Sequence, residues 1–349
     1  MEAQKRNKML KTAIVILNWN GQKFLEKFLP FLIKNTHSDN SEIIIADNNS
    51  QDGSIDFLKT NYPNLRLIIH DKNYGFTGGY NKALKQIEAE YFVLLNSDIE
   101  VSNNWLNPLV ELMDSDKSIG ACQPKIKSYY KKSYFEYAGA SGGFIDKYGY
   151  PFCRGRILGT IEEDVEQYDD VIDVFWATGA CLFVRAELYN QLGGLDDDFF
   201  AHMEEIDFCW RLKNLGYRVV VNPKSQVFHV GGGTLPNNSP FKLYLNFRNN
   251  LFLLYKNAPK GKLFAKIFSR MILDGISGIL FLCQFSFSST GAIIKAHRHF
   301  YCNRKKLHIK RKKLLSNKTV SYHKEIYPRS IVFDYFIRRK KKFNQLRFK

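Results

Sequence analysis

The 349-residue sequence predicts an α/β fold built on a mainly parallel, Rossmann-like central sheet with a basic helical appendage at its C-terminal end. Three observations carry that expectation. Apolar, β-branched runs alternate with helical patterns over the first hundred residues, and each run closes on polar residues. The composition, 45% hydrophobic and 24% charged, belongs to a large globular chain and excludes a disordered one.

The elements follow in order. Thr12 to Leu17 reads as a strand bounded by Asn18, Trp19, Asn20 and Gly21, after which Phe24, Leu25, Phe28, Leu29 and Leu32 recur at helical spacing. Glu42 to Ala46 is the second strand; it stops at Asp47 before a polar turn, and Ser54 opens the next helix. Leu65 to Ile69 is a third strand, followed by Gly75, Gly78 and Gly79 ahead of a helix expected to begin near Tyr80. Tyr91 to Glu100 is a buried strand that ends abruptly in Asn96, Ser97 and Asp98. Parallel sheets bind ligands at the carboxyl ends of their strands, so Asp98 stands where chemistry is expected. A carboxylate there can hold a divalent cation that shares the phosphates of a diphosphate; the plainer alternative is an Asp that starts a turn.

Lys125 to Asp173, rich in glycine and aromatics, allows an antiparallel hairpin or an acceptor-facing loop. Order returns at Val174 to Arg185; Ile206, Cys209, Trp210 and Leu212 then mark a helix that Gly216 stops, and Tyr217 to Val221 reads as a last strand.

Charge divides the chain at 1–235 and 236–349. The second part holds 26 Lys and Arg against three acids, Asp274, Glu325 and Asp334, a net charge of +23 in a chain of net +17, so the first part is mildly acidic. Its most apolar stretch, Ile276 to Phe287, is shorter than the ~20 residues that cross a bilayer. Interfacial helices on an anionic membrane surface fit this pattern, with a helical subdomain covering the core as the alternative. Nucleic acid is not an expected partner, since no recognition module accompanies the charges. The six cysteines lack the two-residue gap of a zinc or redox motif and read as reduced thiols. No secretory signal segment opens the sequence, and the expected location is cytoplasmic, peripheral on the inner face of the cell membrane.

Two further clusters bear on chemistry. Asp196, Asp197, Asp198, Glu204, Glu205 and Asp207 place six carboxylates within twelve positions. A helix start tolerates anions through its dipole, while a carboxylate beside a pocket can also take a proton from an attacking hydroxyl. His229 precedes Gly231, Gly232 and Gly233 and reads either as a satisfied hydrogen-bonding residue or as a ligand. The Gly75 to Gly79 turn lacks the dinucleotide spacing, which argues against a nicotinamide-dependent oxidoreductase.

The series VILNWNG, IIIADNNSQDGS, NYGFTGGYN, LLNSDIEV, ATGACLFVRAELYNQLGGLDDDFF, HMEEIDFCWRLKNLGYRV and VFHVGGGT covers about residues 10 to 235. In that order it resembles the family 2 glycosyltransferases, specifically their bacterial rhamnosyltransferase-like branch. The resemblance implies the GT-A fold and inverting transfer of a sugar from a nucleotide-diphosphate donor, dTDP-rhamnose or a UDP-sugar. The acceptor would be a glycan or lipid-linked glycan in cell-surface polysaccharide synthesis, and Mg²⁺ or Mn²⁺ the cofactor. It places Asn18 and Asn20 in the loop around the nucleotide, Asp47 on the base, and Asn73, Gly75 and Asn81 beside the donor. Asp98 matches the last acid of the metal motif, Glu205 the catalytic base, and His229 a histidine that touches metal or diphosphate. Asn96 stands where the metal motif has its first acid, and Glu205 where many relatives have Asp, with Glu204 adjacent. A nucleotidyltransferase would instead carry a Gly-rich basic loop after the first strand. A non-catalytic membrane-bound scaffold would have lost the base, whereas Asp98 and Glu205 are both present.

Overall fold

The apolar runs of the sequence become the spine of one nine-stranded sheet. The computed structural model describes residues 9–36, 40–231, 239–259, 261, 263–320 and 322–348. The first half alternates β1 (Leu10–Asn18), α1 (Gln22–Asn35), β2 (Ser41–Asp47), α2 (Ser54–Asn61), β3 (Arg66–Ile69), α3 (Gly75–Leu84) and β4 (Ala89–Asn96). Then come β5 (Ile99–Val101), α4 (Asn107–Ser115), β6 (Ile119–Ser128), and the short strands β7 (Gly143–Asp146), β8 (Pro151–Cys153), β9 (Arg156–Ile157), β10 (Thr160–Ile161) and β11 (Ile172–Asp173). The second half adds β12 (Cys181–Arg185), α5 (Ala186–Gln191), a 3₁₀ turn at Asp197–Phe199, α6 (Glu204–Asn214) and β13 (Arg218–His229). Last are α7 (Pro240–Asn257), α8 (Leu263–Cys283), α9 (Phe287–Ser316), β14 (Ile326–Tyr327) and α10 (Ile331–Phe336).

The main sheet runs β11-β13-β6-β12-β4-β1-β2-β3, with β5 on β13. β3, β2, β1 and β4 are mutually parallel, β12 runs antiparallel between β4 and β6, and β13 is parallel to β6. Helices cover both faces, so Ala13 to Ile16 and Tyr91 to Leu95 are buried throughout, which explains their unbroken apolar sequence. Register brings Asn18 opposite Asp47 and Leu17 opposite Asn96, and the polar residues that close these strands share one edge. The fold is the GT-A type expected, mixed α/β with a mostly parallel sheet.

Two elements differ from the sequence expectation, and a third settles between its alternatives. α3 begins at Gly75 rather than near Tyr80, because its glycines are contact points and not a loop: a Cβ on Gly79 would lie 2.7 Å from Leu17, and one on Gly75 2.6 Å from the Phe200 ring. Gly75 also has φ +71, which favours glycine. β13 continues past Val221 to His229 through a register shift between Asn222 and Gln226; Pro223, which cannot donate to a ladder, hid the continuation. Residues 143–161 form an antiparallel series, the hairpin alternative, and β14 joins it as a parallel fifth strand.

The C-terminal region packs on the body. Leu251, Leu253, Phe300, Leu307, Tyr327, Ile331 and Leu346 share one hydrophobic cluster with Val15, Phe92 and Leu182 of the sheet. The 235/236 boundary, and Gly232, Gly233 and Thr234 of the last motif, lie outside the described residues. Among the described residues, no helix is long and apolar enough to cross a membrane.

Candidate active site

At the ends of β1 and β2 a polar network replaces the apolar runs. Asn18 donates from Nδ2 to Asp47 Oδ2 at 2.9 Å and to Ser50 Oγ at 3.1 Å, while Ser50 N donates to Asp47 Oδ1 at 2.8 Å. Asn20, held at φ 50, accepts from Gln51 N at 2.7 Å, so the loop after β1 is clipped to the turn after β2. Asn48 extends the network, donating to Asn73 Oδ1 at 2.9 Å and to the Gly75 carbonyl at 3.0 Å; Asn73 Oδ1 also accepts from Gly75 N at 2.7 Å. The structure thus gathers Asn18, Asn20, Asp47, Asn73 and Gly75 and adds Asn48 and Ser50, which sequence reasoning had left in a turn. Asn18 Oδ1 stays buried without a partner.

Asn81 is a correction. Its Oδ1 accepts from the Tyr189 hydroxyl at 2.7 Å and Leu195 N at 3.0 Å, and its Nδ2 donates to the Leu195 carbonyl at 2.8 Å and Asp197 Oδ1 at 2.7 Å. With all four hydrogen-bonding capacities used, it ties α3 to residues 195–197 and leaves nothing for a donor.

Asp98 and His229 meet because β13 pairs with β5, setting His229 opposite Ile99. Asp98 Oδ1 lies 3.1 Å from His229 Nε2, and Asn96 Nδ2 lies 3.4 Å from the same nitrogen. On the far side of the ring, Nδ1 is 3.4 Å from Glu136 Oε2, an ion-pair distance without an aligned hydrogen bond. Burial alone would lower the imidazole's pKa, but the charges of Glu136 and Asp98 outweigh it and push it up to about 10. Burial likewise works to raise Asp98, and His229 with the Gly231 backbone holds it below the usual carboxylate range. Glu136 was missed because it lies in the irregular 125–173 stretch.

One carboxylate oxygen and one imidazole nitrogen converging here suit a divalent cation that displaces the imidazolium proton, with a second carboxylate behind the ring. Among the described residues no group of three or more His, Cys, Asp or Glu is placed to hold a metal. A cation on Asp98 and His229 would therefore complete its shell with substrate phosphate oxygens and water.

The acidic cluster resolves into two kinds of carboxylate. Asp207 is fully buried and met by Lys256 Nζ at 2.8 Å, Arg211 Nε at 2.9 Å and Asn257 Nδ2 at 2.8 Å. Asp196 pairs with Lys256 and with Lys310 at 2.5 Å, and Asp198 with Lys306 and with Lys310 at 2.6 Å. Asp197 takes the Asn81 amide. Glu204 and Glu205 have no such cation among the described residues, and each keeps one buried carboxylate oxygen without a partner. Burial, then the charge of Glu205, raises Glu204 well above its ordinary pKa; burial raises Glu205 to about 7. Glu204 is buried and Glu205 half-buried, so Glu205 is the reachable member.

Glu205 lies against Gly179, where an added Cβ would come within 3.8 Å of its own Cβ. The next residue, Ala180, accepts from Asn96 N at 2.9 Å, two positions before Asp98. Residues 178–180 thus carry the base candidate on one side and the end of β4 on the other. The loop leading to Glu204 is strained: Phe200, His202 and Met203 have φ of 65°, 68° and 72°, conformations that cost about 1–3 kcal/mol each in a non-glycine residue. α7 holds it in place. Asn249 Nδ2 donates to the carbonyls of Phe199, Ala201 and His202 at 3.0, 2.8 and 2.7 Å, and Arg248 to those of Asp198 and Phe199 at 3.0 and 2.9 Å. The Phe200 carbonyl accepts from Phe76 N at 3.0 Å, docking the loop on the start of α3 beside the Asn48–Asn73 network. A separate cavity of about 650 Å³, lined by Met9, Glu90, Lys117 and Arg185, opens at the other end of β4 and shares no residue with this site.

Residues 13–177 match the family model described as Glycosyl transferase family 2. The chain is 26% identical over 231 residues to the N-acetylglucosaminyl-diphospho-decaprenol L-rhamnosyltransferase of Mycobacterium tuberculosis, covering 62% of this chain and 75% of that one. It is 23% identical over 258 residues to the dTDP-rhamnosyl transferase RfbF of Shigella flexneri, covering 70% and 79%. Among solved structures it is similar to GalNAc-T7 with UDP, GalNAc and Mn²⁺, with a TM-score of 0.55 at 16% identity over 72% of this chain and 48% of that one.

Proposed function

Because residues 13–177 match the glycosyltransferase family 2 model and two relatives are named as rhamnosyl-transferring enzymes, we infer that the chain is a rhamnosyltransferase-like glycosyltransferase in which Glu205 and Asp98 serve the two sides of one sugar transfer. The protein is a nucleotide-sugar glycosyltransferase of cell-surface glycan synthesis. The proposed donor is dTDP-rhamnose, with a UDP-sugar as the competing class, and the proposed acceptor is a lipid-linked glycan, on the pattern of the two rhamnosyl-transferring relatives.

The observation that carries the reading is Glu205: a half-buried carboxylate raised to about 7, without a cation, in a neighbourhood where the aspartates are compensated. As the acceptor oxygen attacks the anomeric carbon, Glu205 takes its proton, and the bond from that carbon to the diphosphate breaks on the opposite face, which inverts the centre. No covalent intermediate is required. Asn18, Asp47, Asn48 and Asn73 form the nucleotide edge, joined by their own hydrogen bonds. Asp98 and His229 would hold the divalent cation, which when bound neutralises the leaving diphosphate. Mn²⁺ suits this pair better than Mg²⁺, since one of the two protein ligands is a nitrogen.

The test is a donor panel of dTDP-rhamnose, UDP-sugars and GDP-mannose read by nucleoside diphosphate release, with Mn²⁺ and with EDTA. Release from dTDP-rhamnose that stops in EDTA is expected. Dominant UDP release would replace the donor, and full activity in EDTA would remove the cation.

A further inference from the structure

α8 is inside out. The residues it buries are Arg270, Asp274 and Gly278, spaced four apart, with Arg270 Nε 2.6 Å from Asp274 Oδ1 and His297 Nε2 of α9 3.1 Å from Asp274 Oδ2. Arg270 also stacks 3.9 Å from the Tyr150 ring centre, so the helix is pinned to the body through its polar face. Its outer face is a row of Phe264, Phe268, Ile272, Ile276 and Ile279, at least half exposed and spaced by four and then three. That spacing draws one stripe along the helix. The stripe runs on through the turn to the start of α9, where Phe285 and Phe287 are 81% and 68% exposed. A helix meant for water has the reverse arrangement, and a contiguous apolar surface of this kind marks a contact with something apolar.

Charge identifies that contact. All three acids beyond residue 236 are buried and paired: Asp274 as above, Glu325 with Lys213 at 3.3 Å, and Asp334 with Arg338 at 3.0 Å. The exposed face of α9 carries Lys295, Arg298, Arg304, Lys305, Lys312 and Lys313. Among the described residues the region therefore offers outward apolar side chains, positive charge and neutral polar groups, and no carboxylate. A second copy of the chain would set two such surfaces against each other with no exposed carboxylate from this region between them. An anionic bilayer meets both halves, taking apolar side chains at the headgroup–acyl boundary and basic ones at the phosphates.

We propose that α8 and the α8–α9 turn lie in the surface of an anionic lipid bilayer, with the stripe from Phe264 to Ile279 immersed and the basic face of α9 on the headgroups. The helix lies flat; it does not span, since Arg270 and Asp274 stand midway along it and no described helix is long and apolar enough to cross. α9 also reaches the loop before Glu205, through Lys306 and Lys310 on Asp198 and Lys310 on Asp196, so the docked hairpin holds the acceptor side of the cleft near the lipid. This deepens the lipid-linked acceptor reading, but the binding itself needs neither donor nor acceptor.

The experiment is co-sedimentation of the full chain with vesicles of phosphatidylcholine alone or with a quarter phosphatidylglycerol, at low and at 0.5 M salt. The chain should pellet with the anionic vesicles, partly resist high salt, and lose binding at least tenfold in the triple variant Phe268→Ser, Ile276→Ser, Ile279→Ser. A control pair on α1, Phe31→Ser and Ile33→Ser, removes comparably exposed apolar side chains and should pellet normally. Thermal melting and donor hydrolysis show that each variant is folded. Unchanged pelleting of the triple variant overturns the proposal, as does a dimer without vesicles that the same triple variant dissolves. Vesicle binding with an inactive donor panel would instead count against the proposed function alone.

Discussion

Asp98 and Glu205 are both carboxylates withdrawn from water at the end of an element, and their surroundings drive them in opposite directions. At the end of β4, His229 faces Asp98 and holds it ionised. At the start of α6 nothing cationic faces Glu205 among the described residues, and burial raises it to about 7. Burial is common to both, so the partner decides the outcome: one group is kept charged and the other is raised toward neutrality, which suits the roles proposed for them. The nearby Asp196, Asp198 and Asp207 all have lysine partners, whereas Glu205 shares the lack of a cation with the more deeply buried Glu204.

The largest way to break this contrast is Glu205→Gln, which keeps the volume and removes the base. Turnover should fall roughly 10²-fold or more with donor affinity nearly unchanged, measured as steady-state kinetics beside equilibrium donor binding. In the parent enzyme the rate should rise with pH through about 7, as Glu205 loses its proton, and the Gln variant should lose that rise. Stability has the opposite sign. A carboxyl whose folded pKa lies above its unfolded one favours folding at low pH and stops doing so as pH passes about 7, so the Gln variant should melt higher than the parent at pH 8. Glu204→Gln should leave turnover within a few fold; a larger loss there than at Glu205 would move the base by one position.

The next effect comes from the support of the Glu205 side. Asn249 is fully buried, and its single amide serves three carbonyls of the strained loop. Asn249→Ala should destabilise the protein by about 1–3 kcal/mol, the cost of leaving buried polar groups unpaired. It should also lower turnover by roughly 30-fold through misplacement of the base, with less effect on donor KM. Denaturant unfolding and kinetics on the same preparation check both, and a stability loss without a turnover loss would separate the loop from the chemistry.

What the sequence shows of this contrast follows from locality. Asp47, Asp98 and Glu205 sit where an apolar run or helical pattern changes, and the change is visible within a few residues. The compensation is not visible, because Lys256 meets Asp207 across 49 positions and Lys310 meets Asp196 across 114. The basic C-terminal region therefore reads as interfacial helices or a covering subdomain, and nothing local shows that part of its charge neutralises the acidic cluster. Asn81 reads as a donor contact for the same reason: its partners Tyr189, Leu195 and Asp197 lie over a hundred positions away. In α8 a local signal does exist. Arg270 and Asp274, one turn apart within an apolar run, mark the face that turns inward.

The smallest effect tests the Asp98 side. Glu136 is placed to act through His229, by setting charge behind Nδ1 at 3.4 Å, while it also accepts from Ala138 N. Glu136→Gln keeps the shape and removes the charge. Mn²⁺ affinity, followed by calorimetry or by the electron spin resonance of the ion, should weaken about tenfold, while turnover at saturating Mn²⁺ changes little. A residue that merely packs would leave cation affinity where it was. Loss of turnover at saturating cation would give Glu136 a direct part in the transfer, and the two carboxylate centres would then no longer divide cleanly into a charged one and a proton-accepting one.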